Sequence, residues 1–324
     1  MGSLAVVFAL VTLLALRFDV DWSSTGKLIR NSNPWWFALA LAVHYTTFLF
    51  RGARWRLLLL NVARDDVPAP RPPSTLHCGA IILMGWFANS VSWFRLGDAY
   101  RAYAYADDTG TSFSRTMGTV VADRLVDLSV VLTMMAVGAT ILYVGGQVRP
   151  SPLFVLIATA LLLAGLAGLL GMFLLRRWVA PRLSQRVQGA YHRFHTGTMG
   201  SFRRLHLVFL LGILGWLAEV GRLFFVLKAL GITVSLGLVL FVPMANGLLT
   251  AVPLTPGGLG IVEPGITGLL MLQSGRALKE AAAIALLDRS ISYLSIVAVG
   301  GIAFAIRHVR VARRALTDPR VATR

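Results

Sequence analysis

Long apolar runs separated by short polar stretches dominate the chain. Six runs are close to the roughly 20 residues that a helix needs to cross a hydrocarbon core of about 30 Å. These predicted spans are 2–18, 35–52, 118–144, 152–175, 205–229 and 281–306. Three further runs, 79–94, 237–253 and 258–272, would be only about 22 to 26 Å long as helices. The pattern predicts an all-α polytopic integral membrane protein with about 6–8 transmembrane helices.

The composition supports a membrane protein. Of 324 residues, 56% are hydrophobic and 14% are charged, whereas a soluble domain has about 25% charged residues. There are 31 Lys and Arg against 14 Asp and Glu, and the formal net charge is +17. These basic residues lie between the apolar runs, which argues against a nucleic-acid partner and indicates contact with anionic lipid headgroups. The single cysteine, Cys78, excludes an internal disulfide.

Arginine-rich segments between the spans predict the topology by the positive-inside rule. Segments 51–71, 176–204 and 307–324 are rich in arginine, whereas 145–151 and 230–236 hold one arginine between them. The three basic segments are therefore expected in the cytoplasm, with both chain termini on that side of the cytoplasmic membrane. Residues 1–324 are expected to form a single transmembrane domain, with 176–204 as a basic cytoplasmic loop and 307–324 as a basic cytoplasmic tail.

Two parts of the chain, about 77–144 and 237–306, repeat one pattern. A short apolar segment is followed by a glycine-bearing break with an acidic residue, and then by a long helix that carries an Asp-Arg pair. The first copy has Arg95-Leu96-Gly97-Asp98 and then Asp123-Arg124; the second has Pro253-Leu254-Thr255-Pro256-Gly257-Gly258-Leu259-Gly260-Ile261-Val262-Glu263 and then Asp288-Arg289. Interrupted apolar segments at corresponding places in two halves indicate the substrate site of a transporter.

The short segments are best explained as two re-entrant hairpins. If 79–94 crossed the membrane, the arginine-rich 176–204 segment would lie outside, so this segment is expected to enter and leave from the cytoplasm. Segments 237–253 and 258–272 form either two short spans or a hairpin from outside, and the hairpin would make the repeats inverted. Non-helical backbone at membrane depth needs a polar surrounding, so the two breaks are expected to meet at a polar cavity.

Charged residues within apolar runs are the candidate substrate-binding groups, because each costs about 2.5–3.5 kcal/mol at the bilayer centre. Glu263 has no basic neighbour within a helical turn, so Arg289 or Arg124 is its expected partner. Arg124 precedes Asp127 by three residues, which permits an ion pair within the helix or an interfacial position from which Arg124 reaches water. Asp98 either binds substrate or caps a helix at the interface together with its neighbour Arg95.

Other polar features have ordinary explanations. Glu219 and Arg222 are one turn apart and are expected to neutralise one another. Asp107 and Asp108 precede Thr109-Gly110 and are expected to form a turn and helix cap. Trp35, Trp36, Trp86 and Trp93 fall at segment ends and are expected to be interfacial anchors. His192 and His195 are expected in a solvated stretch, and no metal, cofactor, Ser-His-Asp or phosphate-loop pattern is predicted.

Three of these motifs together resemble a known family. The run Gly97-Asp98-Ala99-Tyr100-Arg101, the box Asp123-Arg124-Leu125-Val126-Asp127 and the box Pro256-Gly257-Gly258-Leu259-Gly260-Ile261-Val262-Glu263 are similar to those of the membrane domain of the lysylphosphatidylglycerol synthase/flippase family. The resemblance covers essentially the whole chain, with Asp123 where the family usually has Glu. It implies lipid translocation across the cytoplasmic membrane. Since no soluble aminoacyl-transferase domain follows Arg324, lipid synthesis is not expected of this chain.

The sequence hypothesis is a flippase for a phospholipid, glycolipid or polyprenyl-linked lipid with a charged or sugar-bearing headgroup. The expected substrate-binding residues are Arg95, Asp98, Arg101, Asp123, Arg124, Asp127, Glu263 and Arg289. The expected structural hinges are Gly97, Pro253, Pro256, Gly257, Gly258 and Gly260. Two alternatives stay open: a membrane-embedded transferase that uses Asp107, Asp108 or Asp123, and a non-catalytic partner of a separate glycosyltransferase or lipid-modifying enzyme.

Overall fold

A computed structural model describes residues 22–63, 72–145, 184–251 and 255–317, with short stretches between 156 and 174. All regular structure in this part of the chain is helical, which confirms the all-α prediction. The predicted span 2–18, most of 152–175 and the predicted hinge Pro253 lie outside the described residues. The total number of membrane spans therefore stays a prediction.

The helices, in chain order, are α1 (Trp22–Arg30), α2 (Pro34–Ala63), α3 (Thr75–Val91), α4 (Leu96–Thr109), α5 (Phe113–Val144), α6 (Gln185–Ser201), α7 (Leu205–Ala229), α8 (Leu236–Ala251), α9 (Val262–Ser274), α10 (Leu278–Arg289) and α11 (Gly301–Thr317). A π-helical segment, Ser290–Gly300, joins α10 to α11 without a break. Among the described residues, three stretches are long and apolar enough to cross a membrane, namely α5, α7 and Leu278–Arg313. They contain the predicted spans 118–144, 205–229 and 281–306.

Helix α2 corrects one sequence prediction. The predicted span ends at residue 52, and Arg51 and Arg54 are assigned to a cytoplasmic loop, but the helix continues to Ala63 and buries both arginines. The reason is that carboxylates on α5 face these arginines and compensate their charge, while the leucines that follow extend the apolar pattern. Helix α2 packs along α7, where Thr47 Oγ1 donates a hydrogen bond of 3.1 Å to the carbonyl oxygen of Gly215.

Helices α3 and α4 form the first helical hairpin. Its open end is marked by a contact of 2.9 Å between His77 Nε2 and Asp108 Oδ2. Near its tip, the backbone N–H of Gly97 donates to Asn89 Oδ1 over 2.8 Å. A Cβ atom on Gly97 would lie 1.9 Å from the carbonyl oxygen of Gly85, so only glycine permits this approach of the two helices. Gly97, a predicted hinge, thus permits a close contact between the two helices and does not have a positive φ.

Helices α8 and α9 form the second helical hairpin. Between them lies a short 3₁₀ turn, Pro256–Gly258. Gly257, Gly258 and Gly260 have φ values of 60°, 72° and 77°, a region that glycine occupies without the steric cost that other residues incur. The predicted break in the chain is confirmed at these positions.

The two hairpins approach one another from opposite ends of α5. The first hairpin opens beside the start of α5, because Thr111 Oγ1 and Thr116 Oγ1 are 3.4 Å apart in the connection between α4 and α5. The second hairpin opens beside the end of α5, since a Cβ atom on Gly237 would lie 2.7 Å from Leu142 Cγ. Their tips meet where Arg95 Nη1 donates to the Thr250 carbonyl oxygen over 2.8 Å. The two hairpins thus point towards one another, and their relation as inverted repeats stays a prediction.

Basic segments gather at the end of the bundle where the first hairpin opens. Arg115 at the start of α5 donates to the carbonyl oxygen of Val62 at the end of α2 over 2.7 Å. Helix α6 lies against the same part of α5, because a Cβ atom on Gly118 would meet the Phe194 carbonyl oxygen at 2.3 Å. Parts of the three segments predicted to share one side of the membrane thus lie at one end of the molecule. Which side of the membrane that end faces stays a prediction.

The Asp107-Asp108 pair also differs from its prediction. Both residues belong to the last turns of α4, which ends at Thr109 and is followed by Gly110 with φ of 70°. Arg307 on α11 donates 2.8 Å hydrogen bonds to Asp107 Oδ2 and Asp108 Oδ1. The helix persists because this arginine offsets the two adjacent negative charges, so the pair fastens α11 to the first hairpin.

Candidate functional site

A cavity of about 500 Å³ lies between the two hairpin tips. Both tips contribute to its wall, through Ser92, Phe94 and Arg95 from the first and through Thr255 and Gly257 from the second. The charged residues that line it are Arg51, Arg95, Asp98, Arg124, Asp127, Glu219, Arg222 and Arg289. The two breaks therefore meet at a cavity, and charged side chains line it together with apolar ones.

Two matched ion pairs flank the cavity, one from each repeat. In the first, Arg124 Nε donates to Asp98 Oδ2 over 3.0 Å, and Arg124 Nη2 donates to the other carboxylate oxygen. In the second, Arg289 Nε donates to Glu263 Oε1 over 2.8 Å. The arginine follows its carboxylate by 26 residues in both cases. Asp98 is therefore more than a helix cap, and Arg289 is the partner of Glu263.

The second pair is anchored to the glycine turn by two backbone contacts. Glu263 Oε2 accepts a 2.7 Å hydrogen bond from the N–H of Gly260, and Arg289 Nη2 donates a 2.8 Å hydrogen bond to the carbonyl oxygen of Gly257. These bonds satisfy backbone groups that the broken helix leaves unpaired. Arg289 also stacks on Tyr293, with its guanidinium carbon 5.0 Å from the ring centre. The turn and the arginine thus hold each other in place.

Asp127 has its principal partners on another helix. Arg51 Nη1 and Arg54 Nη1 donate to Asp127 Oδ1 over 2.9 Å and 2.8 Å. The predicted pair within α5 is weaker, because Arg124 Nη1 lies 3.5 Å from Asp127 Oδ2. Trp216 Nε1 on α7 also donates to Asp127, over 3.2 Å. The carboxylate therefore joins α2, α5 and α7 at the cavity wall.

Asp123 and Arg101 lie behind the wall rather than on it. Both terminal nitrogens of Arg101 donate to Asp123 Oδ2 over 3.1 Å, and Arg54 Nε donates to Asp123 Oδ1 over 2.8 Å. The Arg101 guanidinium carbon lies 4.5 Å from the ring centre of Trp55. The side chains of Arg101 and Asp123 are only 2% exposed. These two predicted substrate residues instead hold α4 and α5 together.

The predicted residues thus separate into two groups. Those that line the cavity are Arg95, Asp98, Arg124, Asp127, Arg289, Gly257 and Gly258. Those that support the wall from behind are Gly97, Arg101, Asp123, Pro256, Gly260 and Glu263. The sequence does not separate the two groups, because a motif gives the position of a residue in the chain and not the direction in which its side chain points.

A third cluster links the second repeat to α2 and α7. Arg222 donates to Glu219, as predicted, and also to both oxygens of Asp288 over 2.8 Å and 3.2 Å. His44 Nδ1 lies 3.3 Å from Glu219 Oε1 and 3.2 Å from Arg222 Nη1. The sequence signal for this cluster was present, since Asp288 lies inside an apolar run and requires a cation. His44 was missed.

Trp86 is not the interfacial anchor that its position suggested. It lies within α3 and faces the cavity, with its ring centre 5.2 Å from the guanidinium carbon of Arg51. Trp216 lies 4.9 Å from the same carbon. An aromatic face attracts a guanidinium group through the ring quadrupole, so the two rings and Asp127 together fix Arg51 at the wall.

The fold and the site define an all-α membrane protein in which two opposed helical hairpins enclose a cavity rich in ion pairs. The family described as the lysylphosphatidylglycerol synthase TM region matches residues 2–300, and the chain belongs to that family. No solved structure matches the chain.

Curated relatives include archaeal membrane proteins. A UPF0104 membrane protein from Methanocaldococcus jannaschii is 29% identical over 235 residues, which is 72% of this chain and 98% of that protein. Another, from Methanothermobacter thermautotrophicus, is 26% identical over 318 residues, or 91% of each chain. The glycosyltransferase AglD of Haloferax volcanii is 25% identical over 338 residues, which is 90% of this chain and 52% of that protein.

Proposed function

We propose that this protein moves a lipid across the membrane by passing its headgroup through the cavity between the hairpin tips. The observation that carries the proposal is the pair of equivalent arginines, Arg124 and Arg289, each of which comes from one of two oppositely oriented repeats and faces the same cavity. In transporters built from inverted repeats, the substrate binds between the repeats, which then rock around it. The acyl chains would remain in the bilayer while the headgroup crosses.

Arg124 and Arg289 differ in how many of their nitrogens are already hydrogen-bonded, and this difference suggests the order in which they bind the headgroup. Arg124 uses two nitrogens on Asp98, and its third lies 3.5 Å from Asp127. Arg289 uses Nε and Nη2, whereas its Nη1 has no hydrogen-bond partner among the described residues. Arg289 would thus bind a phosphate first. Arg124 would become available once a conformational change releases it from Asp98.

The similarity to AglD supports a second candidate. That relative is called a glycosyltransferase, and this chain matches about half of its length. The second candidate function is therefore to act together with an enzyme on a lipid-linked substrate. In one version this protein is a non-catalytic partner of a separate glycosyltransferase, and in the other it catalyses part of the transfer itself. Asp123 does not favour a catalytic role for this protein, because its carboxylate is bonded to Arg54 and Arg101 and lies behind the cavity wall.

Reconstitution of the purified protein in liposomes separates these functions. Phospholipids with a fluorescent acyl chain are placed in both leaflets, and a membrane-impermeant quencher is added outside. We expect the protected fraction to fall below the half that protein-free liposomes retain, while mass spectrometry finds every lipid covalently unchanged. A covalently modified lipid would favour the transferase, and an unchanged protected fraction with all lipids would argue against transport.

We also propose that the arginine-rich end of the molecule faces the cytoplasm, as the positive-inside rule predicts for the cytoplasmic membrane. In a Cys78→Ser background, a cysteine at the exposed residue Gln188 should be shielded from an impermeant thiol reagent in intact cells. A cysteine at the exposed residue Ala277, at the opposite end, should react. Labelling of Gln188→Cys and protection of Ala277→Cys would reverse the proposed orientation.

A further inference from the structure

The arginines in the ion pairs behind and along the cavity outnumber the carboxylates. In the first repeat and α2, one connected cluster contains five arginines and three aspartates, so its formal charge is +2. Its members are Arg51, Arg54, Arg95, Arg101 and Arg124 with Asp98, Asp123 and Asp127. An unpaired charge away from water is costly unless a partner compensates it. The described part of the chain contributes no further carboxylate to this cluster.

A second cluster, formed by the second repeat with α7 and His44 of α2, offsets only part of this excess. Arg222 and Arg289 face three carboxylates, Glu219, Asp288 and Glu263, so this side has a formal charge of −1 with neutral His44 and 0 with protonated His44. The described ionisable groups around the cavity thus sum to +1 or +2. The residues that line the cavity also carry an excess of positive charge, +2, with five arginines against three carboxylates.

Unused hydrogen-bonding groups accompany this excess on the side of the second repeat. Four side-chain atoms of cavity-lining residues are buried without a hydrogen-bond partner among the described residues: the hydroxyl oxygens of Thr255 and Ser292, which can donate, and the acceptor oxygens Glu219 Oε1 and Asn246 Oδ1. Ser292 follows Arg289 by three residues on one helical rod, and Thr255 lies two residues before Gly257, to which Arg289 is bonded. Two hydroxyl donors and Arg289 therefore line the cavity together on the side of the second repeat.

We infer that the headgroup accepted by this cavity is a phosphate whose negative charge is not cancelled by an ammonium group on the same lipid. This inference rests on the proposed function. A net-anionic headgroup would neutralise the excess positive charge and take up the unused donors, since phosphate oxygens accept charge-assisted hydrogen bonds from arginine. A zwitterionic headgroup would neutralise none of the net charge. An aminoacylated headgroup with two ammonium groups would add to it.

Equilibrium binding to the detergent-solubilised protein tests the inference without requiring transport. The radiolabelled probes are phosphatidylglycerol, phosphatidylethanolamine and lysyl-phosphatidylglycerol, with inorganic phosphate as the soluble competitor. We expect phosphatidylglycerol to bind about tenfold more tightly than phosphatidylethanolamine, and lysyl-phosphatidylglycerol to bind most weakly. Equal affinities, or a preference for the lysyl lipid, would overturn the inference. Inorganic phosphate that competes as strongly as phosphatidylglycerol itself would assign the site to a soluble anion.

A variant with both hydroxyls removed, Thr255→Val with Ser292→Ala, should weaken phosphatidylglycerol binding several-fold without altering the folded structure, because both hydroxyls would donate to the phosphate. The matched control is Ser129→Ala, because Ser129 lies on another face of α5 and its hydroxyl donates to the carbonyl oxygen of Leu125. An unchanged affinity for phosphatidylglycerol in the double variant would place the phosphate elsewhere. The liposome assay keeps the two proposals apart: transport with a preference for cationic lipids overturns only this inference, whereas no transport of any lipid overturns the proposed function.

Discussion

Replacement of Arg289 by lysine should reduce lipid translocation in liposomes by about 10–100-fold while leaving the protein folded. Arg289 lines the cavity and uses one nitrogen for Glu263 and a second for the carbonyl oxygen of Gly257, while its third has no hydrogen-bond partner among the described residues. Lysine preserves the charge but has a single nitrogen and lacks the planar guanidinium fork. The expected reduction corresponds to the loss of one hydrogen bond to a charged group, about 1.5–3 kcal/mol.

Arg124→Lys should have a similar effect, because Arg124 occupies the equivalent place in the first repeat. The matched control is Arg310→Lys, which changes an exposed arginine on α11 and should transport at the wild-type rate. If Arg124→Lys and Arg289→Lys both transported as fast as the wild type, direct headgroup binding by these arginines would be excluded. Arg95 and Asp98 would then be the leading site at the cavity wall.

Replacement of Asp123 by alanine should destabilise the protein by about 3–5 kcal/mol, because it leaves a buried arginine without its carboxylate. Arg101 is 1% exposed and both its terminal nitrogens bond to Asp123. Arg54 is less affected, since it keeps its bond to Asp127. The expected result is a large fall in the unfolding midpoint in detergent, followed by tryptophan fluorescence, and a low yield of folded protein.

Asp107→Ala is the control for this effect. Asp107 also pairs with an arginine, but its side chain is 36% exposed and Arg307 keeps Asp108 as a partner. An exposed ion pair contributes about 0–1 kcal/mol, so the unfolding midpoint should change little. Equal midpoints for Asp123→Ala and the wild type would mean that water reaches Arg101, and that the cluster behind the wall does not hold α4 against α5.

The sequence predicts the all-α membrane fold well. The length of an apolar run follows directly from the thickness of the membrane core. Helices α5 and α7 and the continuous helix Leu278–Arg313 are therefore recognisable by hydropathy alone. The break between α8 and α9 is equally easy to predict, because a cluster of glycines and prolines within an apolar segment interrupts a helix. Glu263 also reveals itself as a paired residue, since an isolated carboxylate at that depth would be costly.

The partners of the charged residues are harder to predict. Arg51 and Arg54 look like topology signals because a positive-inside count uses sequence position only. Their partners, Asp123 and Asp127, lie on α5, so the pairing depends on how two helices pack. One clue was available: α5 carries two aspartates one turn apart, and the single arginine between them cannot compensate both. The neighbouring helix with two arginines one turn apart would have been the natural source.

The unequal charge of the two clusters, one formed by the first repeat with α2 and the other by the second repeat with α7, has a consequence for the direction of transport. A headgroup that crosses the cavity moves through an uneven electrostatic field, with more positive charge on the side of the first repeat. Such a field changes how long the headgroup remains at each end, but it cannot change the distribution of lipid between the leaflets at equilibrium. The free energy that drives any net movement of lipid must therefore come from a source other than this charge distribution. For an anionic lipid, the membrane potential would supply about 2.3 kcal/mol per charge for each 100 mV.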